Sequence, residues 1–383
     1  MRPRSTLACL GAAALMAALA LSAGKPEPSA AHAASPEGDP EGAPRVALLA
    51  TRPGATTTAL HLAQLGAADA GEPVATLEHL PDPAIRASVV PGTDVVMAIA
   101  DVTPGRDLSF NAALFRVQPG APATRLCDQV VYASRPLVTP ASRIFVTRGV
   151  AGSAPAPGAD GKLQMRVDAL SIDEVDPATG ATRVVHTLSG YHLFLAAAWK
   201  HELIVYRVTP GGADLVALDP DSGAERKLAE LLPFARSFSL DEPAGALIFQ
   251  ERHEADPRTW VIDRLDLATG ARTRLHASPH IALSPHAWPG GGVAYTPDRR
   301  VGLAVQGAPV SLRAPMGPGA AAVQAVALDG AWLGVLHQEG GALPVPYALR
   351  SSTGDLAAIP APPGARVFLA GFVASSAKGE VKP

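Results

Sequence analysis

The sequence predicts an all-β protein, a single β-propeller of about seven four-stranded blades. An Asp-x-x-Thr/Ser-Gly phrase occurs three times, and its glycines, at 180, 223 and 270, are 43 and 47 residues apart. This spacing is close to the period of about 40–45 residues that is typical of propeller blades. Short apolar runs bounded by Gly or Pro recur from Arg45 onward, and 36 Gly with 37 Pro along the chain disfavour long helices.

The three phrases predict the turns of β-hairpins. Each follows an apolar run and precedes an alternating polar and apolar run. Asp176, Asp219 and Asp266 are interpreted as turn formers, because an Asp carboxylate accepts a backbone N–H two residues later and Gly provides a positive φ. A repeated calcium loop would need several carboxylates at alternate positions, and only Asp219-Pro-Asp221 comes near that pattern.

Weaker turns at compatible spacing bring the count to seven blades. A long interval between two of them contains residues 150–161, a low-complexity segment of the kind that propeller loops tolerate. The weaker turns are Asp69–Glu72, Gln118–Ala121, Val305–Pro309 and Ser352–Asp355. Residues 366–373 lack a blade of their own, so we predict that they complete the N-terminal blade and close the ring. The propeller is therefore predicted over residues 45–373, followed by a disordered tail at 374–383.

A second repeat precedes the main turns: a polar tight turn that leads into an aliphatic run ending in an aromatic residue. It occurs at Ala198–Tyr206, Ser239–Phe249 and Ala287–Tyr295. This pattern resembles the TolB-like (WD40-like, PD40) propeller repeat of exported bacterial proteins, which has a Trp/Ser-Pro-Asp-Gly-Lys turn before an Ile-Ala-Phe/Tyr strand. The resemblance covers roughly residues 85 to 370 and implies a propeller fold, although the Asp-Gly pair is degenerate in every copy.

The N-terminal residues predict export. Arg2 and Arg4 precede the charge-free apolar run Thr6–Ala23, so residues 1–33 are interpreted as a signal peptide that is cleaved after Ala23 or Ala33. An uncleaved anchor is the alternative. Residues 34–44 are predicted to be a disordered Pro, Ala, Glu and Gly linker. The mature chain is then periplasmic or extracellular, without a membrane span.

Charge and cysteine content narrow the function classes. The net charge of −3 and the lack of basic blocks exclude a nucleic-acid partner. Cys127 is the one cysteine outside the predicted signal peptide, and it is predicted to pack in the core. The mature protein is expected to be a monomer. No G-x-S-x-G, Walker, H-E-x-x-H or C-x-x-C motif occurs in the sequence.

No cofactor and no metal are predicted. The Asp-x-x-Thr-Gly phrase also resembles the repeat of pyrroloquinoline-quinone dehydrogenases, but the docking Trp of that repeat is missing after the Gly. His276, His280 and His286 are close in sequence, yet Pro279 breaks the helix that would bring the first two together. The three are interpreted as exposed loop histidines.

Charged loops mark the candidate binding surface. In a propeller, the loops from strand 2 to 3 and from strand 4 to the next strand 1 share one face around the channel mouth, and three polar loops are predicted there. The candidate contact residues are Arg106, Arg252, His253, Arg258, Asp298 and Arg299. We therefore expect a non-enzymatic exported scaffold in the cell envelope that binds a protein or a glycan. The alternative is a lyase or glycan-active enzyme with its site at the channel mouth.

Overall fold

The described part of the chain is all-β. The computed structural model describes residues 44–102, 111–131, 134–151, 156–157, 163–164, 167–189, 192–279, 284–289, 291–298, 300, 302–313, 316–327 and 329–373. These residues form antiparallel strands and no helix. A helix long and apolar enough to span a bilayer is accordingly not found among them. The predicted signal peptide, most of the predicted linker and the predicted tail lie outside the described residues.

Among the described residues the strands fall into seven successive groups, of which the second and third are joined into one eight-stranded sheet by the pairing of Val130 with Arg148. The first group contains β1 (Arg45–Thr51), β2 (Thr57–Gln64) and β3 (Ala75–Glu78). The second group contains β4 (Arg86–Val89), β5 (Val96–Asp101), β6 (Ala112–Val117) and β7 (Thr124–Val130). The third contains β8 (Leu137–Val138), β9 (Ile144–Ala151), β12 (Val167–Val175) and β13 (Thr182–Ser189), with the small hairpin β10 (Ala156–Pro157) and β11 (Leu163–Gln164) inserted between β9 and β12.

The remaining groups repeat the pattern. The fourth contains β14 (His192–Trp199), β15 (Glu202–Thr209), β16 (Gly212–Leu218) and β17 (Glu225–Leu231). The fifth contains β18 (Arg236–Asp241), β19 (Ala246–Arg252), β20 (Trp260–Asp266) and β21 (Arg272–Ser278). The sixth contains β22 (His286–Ala287), β23 (Val293–Tyr295) and β24 (Ala304–Gln306). The seventh contains β25 (Ala320–Val326), β26 (Trp332–Gln338), β27 (Val345–Arg350) and β28 (Leu356–Ala358), and β29 (Arg366–Val373) follows it.

The C-terminal strand belongs to the N-terminal sheet. Its strand order is β29-β1-β2-β3, and β29 pairs antiparallel with β1 from Arg45 opposite Val373 to Thr51 opposite Arg366. On its other sides β29 contacts β4 of the second group and β25 of the seventh. Residues 366–373 therefore complete the first group, as the sequence predicts, and lie between its two neighbours.

The sixth group differs from the four-stranded expectation. In the described residues β24 ends at Gln306, and no fourth strand follows it before β25. Pro309 and Pro318 in this segment have no N–H with which to extend the sheet. The N–H of Arg313 donates to the carbonyl oxygen of Gly354, in the turn between β27 and β28, at 3.0 Å. This segment thus pairs with the seventh group instead of with β24.

Burial is greatest in the second strands of the groups, lower in innermost strands such as β14, β18 and β25, and lowest in the outermost strands. The second strands β5 and β19 are buried along nearly their whole length, whereas the outermost strands β13, β17 and β21 are mostly exposed. This pattern arises because the second strands have neighbouring sheets on both faces, so that continuous apolar runs suit them, whereas the innermost strands line the cavity. The continuous run Ala246–Phe249 in β19 is an example.

The hydrophobic core consists of seven clusters, each of which joins two successive groups. One cluster joins the seventh group to the first. It packs Leu336 of β26 and Ala348 of β27 against Val46 and Leu48 of β1 and Leu369 of β29. Each group therefore buries its apolar faces against its neighbours, which is how repeated sheets obtain a common core.

The three Asp-x-x-Thr/Ser-Gly phrases form hairpin turns between the third and fourth strands of their groups, as predicted. In the first, the Gly180 N–H donates to the Asp176 carbonyl oxygen at 2.9 Å. Asp176 Oδ1 accepts from the N–H groups of Ala178 at 2.8 Å and Thr179 at 2.9 Å. The backbone N–H groups of Thr179 and Ala178 hold the pKa of Asp176 below its usual value. The carboxylate is therefore used to build the turn.

Each of these turns also joins its group to the preceding one. In all three, the carbonyl oxygen of the second turn residue accepts a hydrogen bond from an arginine of the previous group. The three hydrogen bonds are Arg116 Nη1 to Pro177 O at 2.9 Å, Arg183 Nη1 to Pro220 O at 3.1 Å and Arg226 Nη1 to Leu267 O at 3.4 Å. The repeated phrase thus forms the hairpin and also forms part of the contact between neighbouring groups.

Two glycines of these turns provide a matched test of that contact. Gly180 and Gly223 have nearly the same φ, +73° and +72°, but a Cβ at Gly180 would lie 2.6 Å from the Leu126 carbonyl oxygen of the previous group, whereas a Cβ at Gly223 would meet nothing within 4 Å. We expect Gly223→Ala to lower the free energy of unfolding by about 1–2 kcal/mol through the left-handed backbone alone. We expect Gly180→Ala to cost about 1–3 kcal/mol more, because of steric overlap. Urea unfolding measures both values; equal losses would show that the turn of β12 and β13 does not pack against β7.

Candidate functional site

A cavity of about 1340 Å³ runs between the innermost strands of the groups. Residues of all seven groups line it, including Val89 of β4, Phe194 of β14, Val323 of β25 and Phe368 of β29. The lining is largely apolar or small. Because the innermost strands of a propeller run in the same direction along the channel, their first residues lie at one mouth and their last residues at the other.

Three arginines line the cavity where the innermost strands begin. Arg86 is the first residue of β4, Arg135 lies two residues before β8, and Arg236 is the first residue of β18. They come from the second, third and fifth groups, which are distant in sequence and share one channel. We call these three arginines, together with Arg252 beside Arg236, the arginine mouth.

The charges at this mouth affect one another. Arg135 reaches solvent in the channel but is surrounded by the channel wall. This enclosure, and then the nearby charge of Arg86, lower the pKa of Arg135 to about 10. No carboxylate of the described residues lies within ion-pair distance of Arg135. Burial and the charge of Arg135 lower the pKa of His286 to about 3, so this histidine is neutral at pH 7.

The acidic residues that line the cavity lie at the opposite mouth. Asp241 is the last residue of β18, Glu242 follows it, and Asp329 follows β25. Burial raises the pKa of Asp241, and its Oδ2 has no hydrogen-bond partner among the described residues. The channel is therefore lined by positive charge at one mouth and by acidic groups at the other.

Arg236 and Arg252 share one aromatic side chain. Their guanidinium carbons lie 4.4 Å and 4.9 Å from the ring centroid of Trp260, which is buried. Burial and then the charge of Arg252 lower the pKa of Arg236. Arg252 also donates to the Pro257 carbonyl oxygen. Cation–π contacts of this kind help to hold arginine side chains in place.

An exposed aromatic residue stands next to the arginine mouth. Phe234, in the loop from β17 to β18, is a residue that is 71% exposed and has a φ of +75°. A left-handed backbone at a bulky residue costs about 1–3 kcal/mol, so neighbouring contacts must hold it. The Tyr206 hydroxyl donates to the Leu232 carbonyl oxygen at 3.1 Å, and Glu251 Oε2 accepts from the Leu232 N–H at 3.0 Å. This loop therefore presents Phe234 to solvent from a fixed position.

A buried network of ion pairs contacts that loop through Glu251. Arg272 of β21 forms ion pairs with Glu251 and Asp263, whose side chains are 4% and 1% exposed. Arg274 Nε lies 3.0 Å from Asp263 Oδ1. The Arg272 guanidinium also lies 5.3 Å from the ring centroid of Phe249. Since Glu251 binds Arg272 with one oxygen and the Leu232 N–H with the other, the network connects β21 to the loop that carries Phe234.

The sequence-predicted contact residues divide into three kinds. Arg252 belongs to the arginine mouth. Arg258 is almost fully exposed in the loop from β19 to β20, at 3.4 Å from Asp256. His253 and Asp298 accept backbone N–H groups, from Ala255 at 3.1 Å and from Arg300 at 2.5 Å, and so stabilise their own turns. Arg106 and Arg299 lie outside the described residues.

Arg86, Arg135, Arg236 and Phe234 were not among the contact residues predicted from the sequence. A signal exists for the arginines: each follows a loop between groups and precedes a small residue or proline at the start of an innermost strand.

The interpretation of the clustered histidines as exposed loop residues is wrong at two positions. His276 lies on β21 with its ring 4.7 Å from that of Tyr295, and His286 lies on β22 in the channel. His280 is outside the described residues.

Other reactive groups are buried. Burial raises the pKa of Cys127 to about 11, so its thiol is unreactive at neutral pH, and the prediction that it packs in the core is confirmed. The Thr58 hydroxyl is 2.6 Å from His79 Nε2, but the side chain of Thr58 is fully buried, out of reach of a substrate. The described residues contain no group of three His, Cys, Asp or Glu side chains arranged to hold a metal ion.

Solved structures identify the fold class. The chain is similar to a prolyl endopeptidase, with a TM-score of 0.52 and 14% identity over 86% of this chain and 51% of that one. It is similar to a puromycin-hydrolyzing peptidase of Mycobacterium tuberculosis, with a TM-score of 0.50 and 16% identity over 73% and 46% of the two chains. TolB from Acinetobacter baumannii aligns with a TM-score of 0.48 and 12% identity over 87% and 68%.

These likenesses, at low identity, establish the fold and nothing further: the chain has a β-propeller fold. It spans about half the length of the two peptidases. No protein-family model matches the sequence. No curated protein matches it either.

Proposed function

We propose that this protein is a non-enzymatic binding scaffold, a seven-bladed propeller that holds a partner protein on the face carrying the arginine mouth. The seven strand groups are its blades. The pairing of β29 with β1 and the core cluster between the seventh and first groups support a closed ring. Ring closure matters for function because it fixes the positions of side chains that come from different blades.

The observation that carries the proposal is the set of binding groups around one channel mouth. Arg236 and Arg252 are held against Trp260, and Phe234 is exposed on a fixed loop beside them. Arginines and aromatic residues are enriched among the residues that dominate the energy of protein interfaces. An exposed phenylalanine at a strained backbone position has no role in the core, so a partner is its best explanation.

The same proposal includes export of the protein and its membership of the TolB-like propeller family. The apolar N-terminal run predicts secretion to the periplasm or beyond, and the inner-turn pattern resembles the TolB-like repeat. A partner in the cell envelope fits that location. The proposed unit is a monomer without a bound cofactor.

Affinity capture from an envelope fraction tests this function. We expect the wild-type protein to retain a partner that is lost, by about tenfold or more, when Arg252, Arg258 and Arg299 are all changed to Glu. We expect Phe234→Ala to weaken capture without lowering the melting temperature, because the ring is exposed. Val184→Ala on the outermost strand β13, where the side chain is 57% exposed, is the matched control and should change neither. Full retention by the charge-reversed and Phe234→Ala variants would overturn the proposed surface.

A further inference from the structure

We propose that a cavity between the first and seventh groups binds a small hydroxylated carboxylate with the size and chemistry of a sugar acid. The cavity has a volume of about 260 Å³, and its lining includes Arg52, Thr57, His61 and Thr76. Pockets for drug-sized ligands have volumes of about 300–1,000 Å³, so this cavity suits a smaller molecule. The site is separate from the arginine mouth and does not depend on the proposed partner.

Strand pairing places the polar side chains on one face of the first group. Ala50 of β1 is opposite Ala59 of β2, and Ala59 is opposite Thr76 of β3. Side chains directly opposite each other share a face and have Cβ atoms about 4.5–5.5 Å apart. Residues two apart along a strand also share a face, so Thr57 and His61 lie on either side of Ala59. The two alanines therefore form a floor that the larger polar side chains surround.

Arg52 reaches this face from the turn between β1 and β2. Thr51 Oγ1 donates to Thr57 O at 3.0 Å and lies 3.3 Å from Arg52 O, which brings the backbones of Arg52 and Thr57 together. The Arg52 side chain lines the cavity and has neither an ion pair nor a hydrogen bond among the described residues. In the same turn, Asp82 Oδ1 accepts from the Gly54 N–H at 3.1 Å. The Arg52 guanidinium is therefore available to an anionic ligand.

His61 adds a hydrogen-bond acceptor to the site. The residue is 6% exposed, and its Nδ1 lies 3.0 Å from the Gly71 carbonyl oxygen. A carbonyl oxygen can only accept, so Nδ1 carries the hydrogen of the neutral ring and Nε2 is left as an acceptor. Among the described residues, Nε2 and the hydroxyl groups of Thr57 and Thr76 have no hydrogen-bond partner.

These groups together favour a ligand that carries both a carboxylate and hydroxyl groups. A guanidinium forms paired, charge-assisted hydrogen bonds with a carboxylate. The acceptor on His61 needs a donor, which a sugar hydroxyl supplies and an ionised carboxylate or sulfate does not. Pro362 and Pro363, in the loop from β28 to β29, add an apolar wall against which the C–H groups of a sugar ring can pack. A free sugar acid and a residue of an acidic glycan share this chemistry.

Isothermal titration calorimetry with glucuronate tests the site. Glucose lacks the carboxylate of glucuronate, and adipate has carboxylates on a six-carbon chain without hydroxyl groups. We expect glucuronate to bind more tightly than either compound, by about tenfold or more, because hydrogen bonds to charged groups are the stronger kind and each analogue leaves part of the site unpaired.

Two substitutions separate the charge of the site from its shape. Arg52→Gln should weaken glucuronate binding by about tenfold or more and leave glucose binding unchanged, because only the partner of the carboxylate is lost. Ala59→Leu should abolish binding of both compounds by filling the floor. Arg125→Gln is the matched control, since Arg125 lies on β7 and pairs with Asp128, and it should change neither affinity. Arg52→Gln should melt like the wild type, because this arginine is exposed and unpaired.

Equal affinities for glucuronate, glucose and adipate would overturn the proposal, as would an absence of glucuronate binding or wild-type affinity in Arg52→Gln. A tetrasaccharide of glucuronate alternating with a neutral sugar distinguishes the source of the ligand. Binding tighter than that of glucuronate upholds the site as one for an acidic glycan, and equal or weaker binding upholds it as one for a free sugar acid. Partner capture involves other residues, so failure of this site leaves the proposed function standing.

Discussion

Replacing Arg272 with Leu is expected to be the most destabilising single substitution among the charged residues discussed above. The change leaves Glu251 and Asp263 as buried carboxylates without their main counter-ion. Removing one partner of a buried ion pair typically costs about 3–5 kcal/mol, because an uncompensated charge remains in the interior. For a chain of this size, that loss corresponds to a fall in melting temperature of about 4–7 °C.

Arg274→Leu is the matched control for this substitution. Arg274 is 42% exposed, and Asp263 keeps Arg272 when Arg274 is removed, so we expect a loss below about 1 kcal/mol. A triple variant with Glu251→Gln, Asp263→Asn and Arg272→Leu removes the charges together and should recover part of the stability. The proposed network would be wrong if Arg272→Leu melted like Arg274→Leu. Because Glu251 also holds the Leu232 N–H, partner capture should weaken along with stability in the single variant.

Deleting β29, residues 366–373 with the tail, is expected to abolish cooperative unfolding. The deletion exposes the edge of β1 and removes Val367, Leu369 and Val373, which are at most 3% exposed. Burying each such side chain contributes about 1.5–3 kcal/mol, so their sum approaches the usual total stability of a folded domain. Circular dichroism melting and size-exclusion chromatography measure the outcome.

Truncation after Val373 is the control for this deletion and should melt like the full chain. Leu369→Ala supplies a milder test, since a Cβ added at Gly334 of β26 would lie 3.0 Å from Leu369 Cδ1. We expect that substitution to cost about 2–5 kcal/mol. An unchanged melting temperature in both the deletion and Leu369→Ala would show that β29 does not close the propeller.

Local chemistry explains which parts of the fold could be predicted from the sequence. The turn at Asp219 needs only a carboxylate, two N–H groups and Gly223 at positive φ, all within five residues. The position of residues 366–373 could be predicted because they form an apolar strand that belongs to no other group. Such a strand must pair with a group that is one strand short. The lack of a fourth strand in the described part of the sixth group could not be predicted. It depends on the pairing of Arg313 with the turn around Gly354 in the seventh group.

The candidate site was less predictable, because its residues come from strand groups that are distant in the sequence. Arg86 and Arg236 are 150 positions apart in the sequence, and each taken alone is an ordinary surface arginine. Phe234 follows Leu231-Leu232-Pro233, so its sequence context indicates the core, and only the positive φ turns the ring outward. Arg252 and Arg258 could be predicted as candidates because a charged loop can be recognised in the local sequence, whereas the residues that line a channel cannot.

Hydrogen exchange of the protein with and without its captured partner tests most directly whether the arginine mouth is the functional surface. We expect slower exchange on binding in residues 232–237 and 253–259, which carry Phe234, Arg236 and Arg258 around the mouth. We expect no change in the hairpin turns at 176–181, 219–224 and 266–271, which a propeller places on the opposite face. Protection confined to those three turns would contradict the proposed function and would assign the partner to the other face.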